Sequence, residues 1–150
     1  MGWVLDLADK SWPITRRLMG GHTAIYKASG GLIGHQFPGL PSMLLLDHTG
    51  AKSGIKRTAP LLYIRDADNL VIVASKGGYP KHPAWFHNVT ANPDTTVQVG
   101  REKRAVRARI ATDAERDRLW PKAVKAYPGY ADYQSRSKGR KIPLVILERR

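Results

Sequence analysis

The stretch Thr49-Gly-Ala-Lys-Ser-Gly-Ile-Lys-Arg-Thr-Ala-Pro-Leu-Leu-Tyr63 runs from a glycine-rich, cationic loop directly into an apolar strand. Three cations, Lys52, Lys56 and Arg57, fall within six positions, and they repel one another unless water or an anion lies between them. Loop N–H groups beside fixed cations are typical of sites that hold a phosphorylated ligand. A solvated hairpin loop is the alternative interpretation of the same residues.

A second stretch, Ala74-Ser-Lys-Gly-Gly-Tyr-Pro-Lys-His-Pro-Ala-Trp-Phe-His-Asn88, has the same mixture of cations, glycines and small residues beside an apolar strand. Its small first residues would let a flat ring lie against the strand backbone, although small residues are equally typical of a core. Pro83 predicts the first turn of a short helix that runs to about residue 91, and free N–H groups at a helix start favour anions.

Short apolar runs separated by turn sequences predict five or six strands with helices between them. The predicted strands are residues 42–47, 58–65, 70–75, 95–99, 105–111 and 142–148. The second pairs with the third, and the fourth with the fifth, because turn-forming residues join each pair.

Two local patterns refine this outline. Alternation in the fifth predicted strand puts Val106, Ala108 and Ile110 on one face. Thr112 and Glu115 have the spacing of a capping box for a helix that runs to about residue 125. Strands joined mostly by hairpins, with helices inserted, predict an α+β fold built on an antiparallel barrel.

Composition predicts one domain of 150 residues, in which residues 1–40 form a helical and looped extension. The chain has no cysteine, which excludes disulfides and thiolate metal sites, and its histidines lack the spacing of a metal site. The acidic start does not resemble a signal peptide, so we expect a cytoplasmic protein. Trp3 and Trp12 beside Arg16 and Arg17 suggest a membrane-surface helix; a helix that closes the barrel is the alternative.

The net charge of +13 favours anionic partners, whether nucleic acid, acidic lipid or an anionic cofactor. A solvated, solubilising face explains the same charge. No nucleic-acid-binding motif accompanies it, so nucleic acid is not the expected partner, and a basic nucleic-acid-binding module remains an alternative.

The motifs resemble those of the deazaflavin-dependent nitroreductase family, a branch of the flavin/deazaflavin split-barrel oxidoreductases. The resemblance rests on the loop and strand from Gly50 to Leu61 and on four shorter signatures. These are Ala74 to Gly78, Pro83 to Asn88, Ala91-Asn-Pro93, and Tyr127-Pro-Gly-Tyr-Ala-Asp-Tyr133 followed by Ile142-Pro-Leu-Val145. It extends over about residues 40 to 150 and implies a split β-barrel of the FMN-binding type.

The resemblance also implies that the cofactor is coenzyme F420 in its reduced form, with its phosphate and acidic tail held by Lys52, Ser53 and Arg57. The complete set of implied cofactor-binding residues is Ala51, Lys52, Ser53, Arg57, Thr58, Ala59, Pro60, Leu61, Leu62, Val73, Ala74, Ser75, Lys76, Ala84, Trp85, Phe86, His87, Asn88 and Tyr130. For Trp85 a core anchor is the favoured interpretation. Two positions depart from the family pattern: Ala51 replaces the usual arginine, and Leu62 replaces a pocket tyrosine of some members.

For catalysis the resemblance implies that the Ser75 hydroxyl lies near the substrate and that Tyr127, Tyr130 and Tyr133 wall the pocket. A phenol can give a proton to an oxygen on which charge develops, and Tyr130 is the favoured donor. The implied function is hydride transfer from reduced F420 to a small electron-poor acceptor, namely a quinone, enone, unsaturated lactone or nitroaromatic. A split barrel loaded with FMN is a further alternative. The oligomeric state is not predicted.

Overall fold

The computed structural model describes residues 42–78 and 81–150, together with Thr23, which is helical. From residue 43 onward it contains six strands, one 3-10 turn and three α-helices. In chain order they are β1 (Met43–Thr49), β2 (Lys56–Asp66), β3 (Asn69–Val73), the 3-10 turn (Lys76–Gly78), α1 (Ala84–Ala91), β4 (Asp94–Val99), β5 (Glu102–Ile110), α2 (Asp113–Ala126), α3 (Gly129–Arg136) and β6 (Leu144–Arg149). The helix suggested by Trp3, Trp12, Arg16 and Arg17 lies outside the described residues.

The six strands close into one barrel in the order β1-β2-β3-β6-β5-β4, and β4 returns to β1. Every neighbouring pair is antiparallel. At the closure, Leu45 of β1 lies opposite Pro60 on one side and Gln98 on the other. The predicted α+β fold, an antiparallel barrel with helices packed around it, is confirmed.

The barrel interior is filled by alternate residues of the strands. Leu44 and Leu46 of β1, and Leu70 and Ile72 of β3, belong to this interior cluster. Helix α1 contributes its buried side chains, Trp85, Phe86 and Val89, to the same cluster. Burial of these three residues therefore holds α1 against the barrel.

A second core lies on the outer side of β3 and β6. Here Val71, Val73, Leu144 and Ile146 pack with residues of α2 and α3, which are Leu119, Ala123 and Tyr130. Strands β3 and β6 are thus buried on both faces over residues 70–73 and 144–147, which explains why these two runs are continuously apolar and do not alternate.

Val106, Ala108 and Ile110 lie at alternate positions of β5, on one face as predicted, but they differ in burial. Val106 and Ala108 are buried, whereas Ile110 is 49% exposed. The pairing of β4 with β5 ends at Asp94 and Arg107, so Ile110 extends beyond β4 and loses the cover that the interior cluster gives to the earlier residues. The third buried residue on this face is Arg104, which forms an ion pair with Glu102.

The capping box predicted for α2 is confirmed. Thr112 Oγ1 accepts a hydrogen bond from the Glu115 N–H at 3.2 Å, and Glu115 Oε1 accepts one from the Thr112 N–H at 3.0 Å. The helix continues through Pro121 to Ala126.

The 3-10 turn brings the end of β3 against α3. Gly78 has φ +83°, and a Cβ at this residue would lie 2.8 Å from the carbonyl oxygen of Tyr133. Only glycine fits this position, because both the backbone angle and the close approach exclude a side chain. Among the described residues, none forms a helix with the length and apolar character needed to cross a membrane.

Candidate active site

The two cationic stretches meet in one cleft of about 570 Å³. One wall comes from β1, the loop after it and β2, and its residues are His48, Gly50, Lys52, Ser53, Arg57 and Ala59. The facing wall comes from the 3-10 turn and α1, and its residues are Lys76, Pro83, Ala84, Trp85 and Asn88. The cleft therefore has a cationic side formed by the loop and an apolar side formed largely by the helix start.

The charge in this cleft has one sign. Within residues 42–78 and 81–150, no Asp or Glu lines the cleft, and neither Lys52 nor Arg57 takes part in an ion pair. Elsewhere on the barrel, arginines are paired: Arg107 with Asp94, and Arg109 with both Glu115 and Glu148. Cations without protein counter-charges are suited to an anionic ligand.

Asn88 joins α1 to the cationic loop. Its Oδ1 accepts a hydrogen bond from the Ala51 N–H at 3.0 Å, and its Nδ2 lies 2.9 Å from His48 Nδ1. The side chain is buried, and both of its polar atoms are used within the protein. The structure therefore shows Asn88 holding the loop against the helix, a role that the sequence pattern does not reveal.

His48 is a cleft residue that the sequence analysis missed. It is 7% exposed, and burial, with a further contribution from Arg57, lowers its pKa from the usual value, while Asp47 opposes this shift. Its position one residue before Thr49 and Gly50, at the start of the cationic loop, was the available signal.

Arg140 is the second missed residue, and it organises the end of β3. Its Nη1 donates to the Ala74 carbonyl at 3.0 Å, and its Nη2 donates to the Ser75 carbonyl at 2.8 Å. The same Nη1 lies 2.8 Å from His82 Nδ1, which accepts because the guanidinium can only donate. Burial lowers the pKa of both Arg140 and His82.

The backbone of Arg140 is held in turn by α3. Its carbonyl oxygen accepts hydrogen bonds from Gln134 Nε2 at 2.8 Å and from Ser137 Oγ at 2.6 Å. Arg116 of α2 donates to Gln134 Oε1 at 3.1 Å and to the Ile142 carbonyl at 2.9 Å. A continuous network therefore connects α2, α3 and the approach to β6 with the strand end beside the cleft.

The three tyrosines form one cluster. The Tyr127 and Tyr130 ring centroids are 4.9 Å apart, and the Tyr127 and Tyr133 hydroxyl oxygens are 3.0 Å apart. Tyr130 is buried in the second core, and this burial raises its pKa, whereas Tyr133 is half-buried, with a pKa raised to about 12 by burial and by its bond to Tyr127. None of the three is among the described residues that line the cleft.

The structure brings eight of the predicted cofactor-binding residues into the cleft: Lys52, Ser53, Arg57, Ala59, Lys76, Ala84, Trp85 and Asn88. Trp85 is both a cleft residue and a core anchor.

The remaining predicted residues are not among those that line the cleft. Leu61, Ala74 and Phe86 pack at the interior cluster, and Leu62, Val73 and Tyr130 pack at the second core. Alternation along β2 explains why Leu61 and Leu62 separate. Thr58 donates to Asp47 Oδ1 at 2.8 Å. The others are Ala51 and His87, which are exposed, Pro60, which is buried, and Ser75, which is half-buried.

No group of three or more metal-ligating side chains occurs in the described part of the chain.

Comparison with known proteins gives consistent matches. The family model described as F420H(2)-dependent quinone reductase matches residues 18–149. An F420H(2)-dependent quinone reductase of Mycobacterium tuberculosis is 46% identical over 132 residues, which is 86% of this chain and 88% of that protein.

Two solved structures are similar as well. One is described as an F420-H2 dependent reductase (FDR-A); it is 46% identical, with a TM-score of 0.65 over 71% of this chain and 93% of that one. The other is described as a domain-swapped dimer; it is 39% identical, with a TM-score of 0.68 over 89% of this chain and 99% of that one. Because the family model matches residues 18–149 and two of these relatives are 46% identical, this chain belongs to the F420H(2)-dependent quinone reductase family.

Proposed function

We propose that this chain is an F420H(2)-dependent reductase whose acceptor is a quinone. The observation that carries the proposal is the cleft in which both cationic stretches meet, with Lys52 and Arg57 unpaired and no acidic side chain among its described lining residues. Family membership supports the choice of cofactor and acceptor.

The residues present fit a cofactor that combines a flat ring with an anionic arm. The loop side of the cleft carries the cations Lys52 and Arg57 and the Ser53 hydroxyl group. The rest of the lining offers apolar surface from Ala59, Ala84 and the Trp85 ring. When bound, reduced F420 supplies a hydride to the acceptor. The tasks left to the protein are to bind, to orient and to exclude water.

On this proposal Lys52, Ser53 and Arg57 hold the anionic arm, and Lys76 adds positive charge from the facing wall. Ala51 cannot supply the guanidinium that the family pattern usually has here, although its N–H is used by Asn88. We therefore expect binding of the arm to depend more heavily on Lys52 and Arg57 than in members with the additional arginine.

The end of β3 supplies the backbone surface for the ring in this proposal. Arg140 holds the Ala74 and Ser75 carbonyls, so this segment is kept in one conformation before the cofactor arrives. We propose that the other predicted cofactor-binding residues support the walls of the cleft without lining it. These are Thr58, Pro60, Leu61, Leu62, Val73, Phe86 and His87.

Within the described part of the chain, none of the three tyrosines lines the cleft, but Tyr133 packs against the 3-10 turn whose Lys76 does. For the proton that must accompany reduction, we propose the pair Tyr133 and Tyr127 in place of Tyr130, with the acceptor bound at this edge of the cleft. The two hydroxyl groups are hydrogen-bonded at 3.0 Å, so a proton that leaves one can be replaced from the other. Tyr130 is buried in the second core, and this burial raises its pKa. We also propose that Ser75 contacts the acceptor. Enones, unsaturated lactones and nitroaromatics are proposed as further classes of acceptor.

We further propose that residues 1–150 act as one reductase domain in the cytoplasm, with residues 1–40 as an extension. Contact of Trp3, Trp12, Arg16 and Arg17 with an anionic membrane would bring the enzyme to membrane quinones. These residues lie outside the described part of the chain. Flotation of the full chain with anionic vesicles, compared with a chain that lacks the first twenty residues, tests this; equal flotation would refute it.

The central experiment is a parallel fluorescence titration of the purified protein with coenzyme F420, FMN and NADPH. We expect binding of F420, followed by oxidation of reduced F420 when a quinone is added. Lys52→Ala and Arg57→Ala should each weaken F420 binding about tenfold or more, because each removes a charged hydrogen-bond donor. Lys125→Ala, which removes an exposed cation of α2, is the control for the change in net charge.

Other outcomes distinguish the alternatives. Unchanged F420 affinity in both cleft variants would refute the proposal. A yellow protein that retains FMN through purification would favour the flavin-loaded barrel. Salt-sensitive binding of DNA without any response to F420 would favour the nucleic-acid-binding module.

A further inference from the structure

The hydrogen bonds around Asn88 determine the protonation pattern of His48. The Ala51 N–H can only donate, so the Asn88 atom 3.0 Å from it must be the acceptor Oδ1. The amide nitrogen Nδ2 therefore faces His48 Nδ1 at 2.9 Å. Since this NH2 group also only donates, Nδ1 must present a lone pair, and the neutral imidazole carries its proton on Nε2.

The protonated nitrogen has no hydrogen-bond partner among the described residues. Within residues 42–78 and 81–150, His48 makes one hydrogen bond, and that bond uses Nδ1. No buried side-chain nitrogen or oxygen in that part of the chain lacks a partner, so Nε2 must be accessible. His48 is a lining residue of the cleft together with Gly50, Lys52 and Arg57, so the side chain that carries this neutral donor belongs to the cleft wall.

The surroundings of His48 favour this neutral form. Desolvation of the buried ring lowers its pKa, Arg57 of β2 lowers it further, and Asp47 of β1 raises it. Lys52 and Lys76 line the same cleft, while Lys56, Asp94 and Arg150 line the neighbouring cleft that His48 also borders. Asn88, on α1, adds no charge. A neutral donor supplies a contact for an anion without adding another repelling cation.

We propose that His48 is a further binding residue of this site: its Nε2–H donates a hydrogen bond to an oxygen of the cofactor's anionic arm, and Asn88 selects the tautomer. This inference rests on the proposed function. Asn88 then has two roles, because the side chain that holds the loop at Ala51 also orients the imidazole of His48.

Two substitutions of His48 separate binding from structure. His48→Asn retains an acceptor near the Nδ1 position, so it keeps the bond to Asn88 but removes the Nε2–H donor. His48→Gln places an amide donor near the Nε2 position but leaves Asn88 Nδ2 without an acceptor. Each variant is titrated with coenzyme F420 and with the same chromophore lacking its phosphate-bearing arm, and its melting temperature is measured without ligand.

We expect His48→Asn to bind F420 about tenfold to a hundredfold more weakly, with little change in melting temperature and in affinity for the armless chromophore. His48→Gln should melt at a lower temperature and retain more of the F420 affinity than His48→Asn does. Nitrogen-15 NMR of the ligand-free protein should find the His48 proton on Nε2.

Unchanged F420 affinity in His48→Asn would overturn the inference, as would an equal loss for both ligands or a proton found on Nδ1. If the unaltered protein fails to bind F420, the proposed function itself is refuted, and this inference is refuted with it. The two failures are therefore distinguishable by the wild-type titration alone.

Discussion

Arg140 Nη2 donates a hydrogen bond of 2.8 Å to the carbonyl oxygen of Ser75, a residue 65 positions earlier in the chain. A second bond to Ala74 makes the guanidinium a two-point support for the end of β3. The position of the backbone at the end of β3, beside the cleft, therefore depends on Arg140, which precedes β6.

Replacement of Arg140 by lysine should disturb this strand end. One ammonium group cannot match the fixed fork that reaches both carbonyls and His82. We expect Arg140→Lys to lower the free energy of unfolding by about 1–3 kcal/mol and to raise the KM for reduced F420 more than it lowers kcat. Arg118→Lys, at an exposed pair with Asp66, is the control. A loss of stability with an unchanged KM would contradict the positioning role.

Alanine substitutions at Gly78 and Gly54 test how tightly the turn after β3 packs on α3, because only Gly78 lies against that helix. Both have positive φ, +83° and +69°, but a Cβ at Gly78 meets the Tyr133 backbone, whereas one at Gly54 has no atom within 4 Å. Gly54→Ala should cost about 1 kcal/mol of unfolding free energy from backbone strain alone. Gly78→Ala should cost roughly 3 kcal/mol or more, because steric overlap adds to that strain. Equal denaturant midpoints for the two variants would show that α3 moves freely away from the turn.

The hydroxyl pair of Tyr127 and Tyr133 predicts a particular pH dependence. With the pKa of Tyr133 raised to about 12, its phenol stays protonated, and quinone reduction should not fall from pH 7 to pH 10 through loss of this proton. Tyr133→Phe should lower kcat about a hundredfold if this phenol is the donor. Tyr130→Phe should leave kcat close to that of the unaltered enzyme, and a larger effect at Tyr130 than at Tyr133 would reverse the assignment.

Glu115 predicts acid sensitivity of the α2 start. Its side chain accepts bonds from Arg109 and from the Thr112 N–H, which lower its pKa to about 2. Because the folded state favours the ionised carboxylate, its stabilising contribution is present at neutral pH. This contribution is lost as the pH falls from about 4.5 towards 2.

Glu115→Gln tests this contribution, because glutamine keeps an acceptor for the cap but carries no charge. We expect its melting temperature to lie below that of the unaltered protein at pH 7 and to approach it at pH 2 to 3. Asp117→Asn, at an exposed site on the same helix, makes the same change in charge and is the control. A difference that does not shrink in acid would mean that the carboxylate charge is not what stabilises this helix start.

The sequence alone determined the features that depend on near neighbours. Alternation and apolar runs predicted the strands of the barrel, and Thr112 with Glu115 predicted a helix start that the structure confirms. The motif resemblance led to the cationic loop and the start of α1, which meet in the cleft. These signals are local, because strand period, turn chemistry and capping each involve residues only a few positions apart.

The residues that complete the site follow from how distant segments pack together. Asn88 reaches Ala51 across 37 positions, and Arg140 reaches Ala74 across 66, so neither contact leaves a pattern in a single sequence. Barrel closure likewise decided that Leu61 and Leu62 pack against different cores and that Ile110 is exposed. The physical reason is that hydrogen-bond partners and burial depend on how distant strands and helices pack, whereas the sequence records directly only what each segment favours by itself.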